Sequence, residues 1–131
     1  MTNSITITVP IPKNNPNNQF SGWRAKSVHK KQDREVATIE AQCAVAELDD
    51  WKSYGFPWEH ATVSVKWYHP TDNHRDRDNI IASLKHSIDG IKRAGLLVDD
   101  NELHWSSPER LTDRENPRVE VTLVILSKIS E

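Results

Sequence analysis

Cysteine is nearly missing from this 131-residue sequence, in which Cys43 stands alone. A single cysteine excludes an internal disulfide and a zinc site built from several cysteines. Glycine is also scarce, with four residues, and we find no Walker or dinucleotide-binding glycine motif. The sequence has no run of about 18 apolar residues, which excludes a hydrophobic membrane-spanning helix.

The first residues, MTNSITITVPIPK, have neither the basic region nor the long apolar segment of a secretory signal. We therefore expect a soluble protein of the cytoplasm. The length fits one domain over residues 1–131. Hydrophobic residues make up 36% of the chain, and so modest a core favours further stabilisation by oligomerisation.

The formal net charge of −2 lacks the basic excess of a general nucleic-acid binder. The charges are unevenly spread, however. An early stretch is basic and contains Lys13, Arg24, Lys26, Lys30, Lys31 and Arg34. A later stretch is acidic and contains Asp72, Asp76, Asp78, Asp89, Asp99, Asp100 and Glu102. Such an arrangement suits a metal-dependent nuclease, because a cation must bridge carboxylates and phosphate; a solvated surface of mixed sign explains the same charges.

The hydrophobic pattern predicts one strand and one helix in the first half of the chain. Residues 4–9 alternate apolar and polar side chains, which is typical of a strand with one buried face. A helix is expected from about Lys31 to about Lys52, and Tyr54-Gly55-Phe56-Pro57 ends it. Its apolar face is predicted to contain Val36, Ile39, Cys43 and Ala46, widened by Ala41, Val45 and Leu48.

The second half predicts three strands and one further helix. Strands are expected at 61–68, within 102–112 and at 118–125. The helix is expected from about Asn79 to about Ala94, capped by Asp76 or Asp78 and ended by Gly95. Its apolar stripe contains Ile80, Ile81, Leu84, Ile88 and Ile91. The result is an α+β domain, with a small mixed sheet of about four strands and two main helices packed on it.

Helix geometry groups charged residues beside this stripe. Asp78, Lys85 and Asp89 fall within about 40° of one another, and Lys92 continues that side. Mg²⁺ prefers carboxylate oxygens, so two or three aspartates suffice to bind it. Asp99 or Asp100 supplies a third carboxylate if the chain folds back after Gly95.

Each of these signals also has a simple structural explanation. Asp-x-Asp before a helix is common as a cap, Asp99-Asp100 is an ordinary turn, and Lys85 alone is a solvated lysine. An EF-hand is excluded because Ile81 stands where its loop needs glycine. The six histidines show no HExxH pattern, and no GxSxG elbow supports serine catalysis.

Several of these elements occur together at consistent spacing. In order they are Asp76-Arg77-Asp78-Asn79, Lys85, Asp89-Gly90, Ala94-Gly95 and Asp99-Asp100. This succession resembles the core motif of the RusA family of Holliday-junction resolvases. The early strand with its prolines and Asn14-Asn15 resembles that family's opening segment. The resemblance covers most of the chain and is loose between Trp23 and Val63 and after Asn101.

The resemblance implies an activity and its cofactor. RusA-family enzymes cut four-way DNA junctions symmetrically, as homodimers, with Mg²⁺ or Mn²⁺. Metal ligands are then implied at Asp76, Asp78 and Asp100, with Asp99 supporting or replacing the last, and a catalytic lysine at Lys85. DNA contacts are expected from Lys13, Arg24, Lys26, Lys30, Lys31, Arg75, Arg77 and Lys92. No membrane and no nucleotide cofactor are expected, and family habit implies a bacterial cell and a phage or prophage origin.

The chain departs from the family pattern at the lysine. Lys85 matches the family's lysine by its four-residue distance to Asp89. However, three more residues than in the family pattern separate Asn79 from Lys85, and the position four after Asp78 is Ala82. Lys85 is therefore about 10 Å from Asp78 along a helix axis. A junction-binding protein with little turnover and an interaction protein with a solvated acidic loop are the alternatives.

Tryptophan is abundant, with five residues. We expect Trp51, Trp58 and Trp67 to fill the core or a dimer contact. Trp23, in the basic stretch, could pack or stack on a base.

Overall fold

The computed structural model describes residues 3–12, 23–74, 76–98 and 103–125, with only the backbone for residues 23–27. Its elements in chain order are β1 (Ser4–Val9), α1 (Trp23–Ala46), a 3₁₀ turn (Trp51–Tyr54), β2 (Ala61–His69), α2 (Arg77–Ser83), α3 (Lys85–Arg93), β3 (Leu103–Trp105), β4 (Glu109–Thr112) and β5 (Arg118–Ile125). This is the predicted α+β architecture. The sheet is mixed and has five strands where about four were expected.

The sheet is organised around β2. The strand order is β1-β5-β2-β3, and β4 also pairs with β2. β5 is antiparallel to both of its neighbours, while β3 and β4 are parallel to β2 and share its outer edge. β3 lies beside the first residues of β2, and β4 lies beside its last residues.

The core lies on one face of this sheet because the three long strands alternate strictly. Their inward side chains are buried, at Ile5, Ile7, Val9, Ala61, Val63, Val65, Trp67, Val119, Val121 and Leu123. Helices cover that face with Ala37, Ala41, Ile80, Leu84, Ile88 and Ile91. The opposite face is polar; on it Thr6 Oγ1 and Thr122 Oγ1 are 2.8 Å apart. The bounds of β1 and β5 are those predicted, and β2 is one residue longer.

The predicted bounds of α1 are wrong, and its predicted apolar face is only partly right, since Ala41 is buried and Val45 and Leu48 pack against the core. The helix begins at Trp23 and ends at Ala46. Ala37 and Ala41 are buried, whereas Ile39 is 57% exposed and Cys43 and Ala46 are exposed. Small side chains face inward because α1 lies against α3 at Gly90, where a Cβ would come within 2.9 Å of Ala37 Cβ. Thr38 Oγ1 joins the two helices at this point, donating to the carbonyls of Arg34 (2.9 Å) and Gly90 (3.0 Å).

The predicted second helix is divided at Leu84. Leu84 ends α2 with φ −89° and ψ −3°, and α3 starts at Lys85. Four of the five stripe residues are buried and Ile81 is half-buried, so the predicted apolar face is confirmed across the break. Gly95 follows α3 with φ 95°, a conformation that suits glycine at the end of a helix.

The segment after α3 is held to the segment before β2. The Trp58 N–H donates to Leu96 O at 2.8 Å, and the Val98 N–H donates to Trp58 O at 3.0 Å. Trp58 is buried, and its Nε1 donates to Tyr54 O at 2.7 Å. Trp67 is buried as expected, but Trp51 is 47% exposed and lies outside the core, which leaves the dimer contact of its two predicted roles.

The strand predicted within residues 102–112 is two strands. Between β3 and β4 the Ser106 N–H still donates to Val63 O at 3.0 Å, and the Ser106 hydroxyl is 3.2 Å from Val63 O and 3.2 Å from Ser64 Oγ. Pro108, which has no N–H to donate, stands directly before β4. Within the described parts of the chain, every helix is too short or too polar to cross a membrane.

Candidate functional site

Asp76 and Asp78 lie together at the start of α2. Asp76 is the N-cap residue, with φ −73° and ψ 165°, and its Oδ1 accepts a hydrogen bond from the Asn79 N–H at 2.8 Å. Asp78 lies in the first turn, and both aspartates are exposed. The predicted capping role therefore belongs to Asp76, and two solvent-facing carboxylates are separated by one residue.

A polar cluster holds the loop that leads from β2 into α2. The rings of His69 and His74 stack with centroids 4.3 Å apart, and His74 Nε2 is 2.6 Å from Thr112 Oγ1. His69 Nδ1 is 3.2 Å from Leu111 O, and Thr112 Oγ1 donates to Asp72 Oδ1 at 3.2 Å. These contacts attach the loop to β4 through His74, which lies two residues before Asp76.

Sequence reasoning missed this cluster. The stacking partner of His74 is the last residue of β2, and its hydrogen-bond partner is the last residue of β4. Because the pairing of β4 with β2 brings them together, no sequence spacing could have shown it.

Asp99 and Asp100 lie outside the described residues, but the residues on either side of them are described. Val98 is bonded to Trp58 before β2, and Leu103 pairs with Ala61 at the start of β2. Beyond the doublet, Leu103 and Trp105 line a mainly apolar hollow of about 270 Å³. The other residues lining it come from α2 and α3: Ile81, Ala82, Lys85 and Ile88. The strand that follows the doublet thus lines the same hollow as the later residues of α2.

Lys85 and Asp89 do not line the same hollow. Lys85 is exposed and lines the hollow beside β3. Asp89 is half-buried, lies 3.7 Å from His86 Nδ1, and lines a different hollow between α1 and α3. Leu84, between α2 and α3, keeps right-handed helical dihedral angles, and the Ile88 N–H donates to its carbonyl at 2.9 Å, so the chain stays helical across this point. Lys85 and Asp89 nevertheless line different hollows.

These surroundings shift the pKa of His86. Burial lowers the pKa of His86, and the nearby Lys30 and Lys85 charges lower it further, while Asp89 and Asp33 raise it. Its Nδ1 is buried and has no hydrogen-bond partner within the described chain. A neutral imidazole between α1 and α3 is therefore favoured.

The predicted DNA-contacting cations are distributed over two regions. Arg77 is exposed at the start of α2, next to the two aspartates. Lys30 and Lys31 are exposed on α1, where Arg24 and Lys26 are described only by their backbone, and Lys92 is exposed in the last turn of α3. Lys13 and Arg75 lie outside the described residues.

The chemistry of the described donors fits a hard divalent cation. Asp76 and Asp78 offer exposed carboxylate oxygens, the ligands that Mg²⁺ prefers. Residues 3–12, 23–74, 76–98 and 103–125 contain no group of three or more His, Cys, Asp or Glu side chains arranged to hold a metal ion. Two of the four predicted ligands, Asp99 and Asp100, lie outside these ranges. A metal site with three or four carboxylate ligands would therefore need that doublet.

Comparison with models of known protein families gives no match, and no curated protein matches the chain.

Proposed function

We propose that this protein is a Mg²⁺-dependent endodeoxyribonuclease of the RusA type that resolves four-way DNA junctions. The observation that carries the proposal is the pair of exposed carboxylates, Asp76 and Asp78, at the start of a helix that lines one hollow together with β3. β3 is the strand that follows Asp99-Asp100. This placement supports the metal-binding region that the resemblance in sequence implies.

Hydrolysis of a phosphodiester adds water across a P–O bond and needs compensation for negative charge. A divalent cation, when bound, supplies Lewis acidity for that reaction. Asp76 and Asp78 would hold it, with Asp100 or Asp99 as the further ligand. Asp76 already uses Oδ1 to accept the Asn79 N–H, which orients its carboxylate before any metal binds.

The chain's own cations would hold the DNA. Arg77, beside the two aspartates, is placed to contact the phosphate nearest the reaction, and Arg75 is the corresponding prediction outside the described residues. Lys85 lines the hollow between α2 and β3, seven residues after Asp78, and is better placed to contact a neighbouring phosphate than the metal. Such contacts are largely independent of sequence.

A homodimer is part of the proposal because a four-way junction has two equivalent strands to cut. Two-fold symmetry would present two equivalent sites to them. We place the protein in the cytoplasm of a bacterial cell, encoded by the host, a phage or a prophage.

The decisive experiment is cleavage of an end-labelled synthetic four-way junction, compared with linear duplex, in Mg²⁺, Mn²⁺ or EDTA. We expect paired, metal-dependent cuts across the junction and none in EDTA. Asp78→Asn removes one ligand charge and should abolish cutting. Asp49→Asn, at an exposed aspartate before the 3₁₀ turn, is the matched control and should cut like the wild type.

Other outcomes support the alternatives. Tight junction binding without cutting in any metal indicates a binding protein of the same fold. An interaction protein whose acidic loop is merely solvated should neither bind nor cut. It should also show no rise in Tm with Mg²⁺ or Mn²⁺, whereas a metal-binding site raises the Tm by mass action.

A further inference from the structure

An open hollow between α1 and α3 collects cations that the proposed cleavage site does not use. Its lining residues are Arg34 of α1 and Asp89, Lys92 and Arg93 of α3, and its volume is about 410 Å³. Three cations face one carboxylate here, in a chain whose formal net charge is −2. Within the described residues, no carboxylate lies within 4.0 Å of a side-chain nitrogen of Arg34, Lys92 or Arg93. The local charge therefore favours an anion.

Arg34 has an unsatisfied donor at this position. Its Nε is buried and has no hydrogen-bond partner within the described chain. A buried N–H without an acceptor is costly, and the planar guanidinium is suited to phosphate oxygens. Because Arg34 also lines the hollow, a phosphate there could accept hydrogen bonds from its guanidinium.

The packing of the two helices prepares this arrangement. The backbone of α3 approaches that of α1 at Gly90 and Arg34, and Thr38 Oγ1 donates to the carbonyls of both residues. Lys92 and Arg93 follow Gly90 within one helical turn. The three cationic residues thus lie close together on two helices that pack against each other.

Lys30 extends the same positive surface. It lies four residues before Arg34 on α1, the spacing that places side chains on one helix face. Its charge contributes to lowering the pKa of His86 on α3, which places it beside that helix as well. A backbone of repeated phosphates could follow such a row, whereas an isolated ion would use only the hollow.

We propose that Arg34, Lys92 and Arg93 form a binding site for a phosphodiester of the nucleic-acid backbone, separate from the carboxylates at the start of α2. The inference rests on the proposed function, since that function supplies DNA as the ligand. A structural role exists for part of the set, because cations in the last turn of a helix interact favourably with its carboxyl end. That role predicts an effect on stability but none on the salt dependence of DNA binding.

The test measures binding of a four-way junction and of linear duplex in EDTA, where no cleavage occurs, over a range of KCl concentrations. The variant Lys92→Gln with Arg93→Gln should bind about tenfold more weakly. Its slope of log K against log salt should be smaller by about 0.9, the value for one lost phosphate contact. Lys52→Gln with Lys66→Gln removes the same charge from exposed positions on the 3₁₀ turn and the open sheet face, and should leave the slope unchanged.

Arg34 is tested separately because its side chain is partly buried. Arg34→Gln should reduce the slope as the double variant does, and Arg34→Lys, which keeps the charge but loses the fork, should weaken binding with a smaller change in slope. Thermal melting of each variant verifies that it is folded.

The two proposals fail in different ways. Equal slopes for the hollow and control variants, or no DNA binding by the wild type, would overturn the phosphate site. A wild type that cuts junctions while all slopes stay equal leaves the nuclease standing and removes the phosphate site. If the wild type never cuts junctions but the hollow variants have a smaller slope than the wild type, the phosphate site stands and the nuclease is removed.

Discussion

The carbonyl oxygen of Arg34 occupies the space into which a side chain at Gly90 would project. The obstacle is backbone, which cannot rotate away as a flexible side chain can. Gly90 is buried in the middle of α3, a position where glycine is otherwise unfavourable by about 1 kcal/mol relative to alanine. Close packing of α1 on α3 therefore explains this glycine.

Replacing Gly90 by alanine should destabilise the fold despite the better helix propensity of alanine. We expect a loss of about 2 kcal/mol in the free energy of unfolding, in the range for overpacked cores. Urea denaturation measures it. Gln42, exposed on α1, provides the comparison, because Gln42→Ala should be more stable than Gln42→Gly by about 1 kcal/mol. A Gly90→Ala protein as stable as the wild type would show that the helices can separate at no cost.

Asp76 should affect stability through its cap and metal binding through its charge. Asp76→Ala loses the hydrogen bond to the Asn79 N–H and should cost about 1 kcal/mol, whereas Asp76→Asn keeps an N-cap acceptor and should cost a few tenths. Both should lose the rise in Tm that Mg²⁺ produces. Equal stability of the two variants in EDTA would contradict the capping role.

Protonation of His86 should destabilise the folded protein. The pKa of His86 is lowered by burial and by Lys30 and Lys85, against the opposing charges of Asp33 and Asp89. As the pH falls, the unfolded chain therefore takes up the proton first. The stability that neutral His86 contributes is complete above about pH 6.5 and is lost as the pH falls through the folded pKa. We expect the free energy of unfolding to fall less steeply from about pH 7.5 to about pH 5.5 in His86→Gln than in the wild type.

The histidine on β3 provides the control for this measurement. His104 is exposed, and His104→Gln removes a titratable ring without touching α1 or α3. A slope in His86→Gln equal to that of the wild type would place the pH dependence elsewhere.

Arg118 should set the acid sensitivity of the loop before β5. Its Nη1 donates to Asp113 Oδ2 at 2.8 Å, and this hydrogen bond, followed by that from the Asn116 N–H, lowers the pKa of Asp113. The stability that the ionised Asp113 contributes to the fold is present above the ordinary aspartate pKa. It is lost as the pH falls through the lower pKa of Asp113 in the folded protein. Arg118→Gln should raise the Asp113 pKa in an NMR titration. Arg110→Gln, an exposed arginine on β4, should leave it unchanged.

Strands were predicted best because burial on one face imposes a period of two on the sequence. In Ser4–Val9 and Arg118–Ile125 every second residue is apolar, and the bounds agree with the structure. The helix face of α1 was predicted only in part: Ala41 belonged to the predicted face and is buried. Apolar size favours Ile39, but the close approach of Gly90 selects Ala37, through a contact between residues far apart in the chain.

The candidate site was predictable only where chemistry is local. Capping by Asp76 follows from its place before the helix, and the structure bears it out. The contact of His74 with Thr112 and the grouping of Arg34 with Arg93 depend on which elements pack together. A sequence read along one helix could likewise not show that Lys85 and Asp89 line different hollows.

The division of the outer edge of β2 between β3 and β4 bears on self-association. An exposed strand edge is a template on which other chains can add and aggregate. Here that edge is covered by strands of three and four residues, with residues 106–108 between them. An incoming strand would meet two short, offset rows of backbone groups in place of one long row. Joining the two strands, for example by replacing Pro108 with a β-branched residue, would trade this protection for a longer ladder.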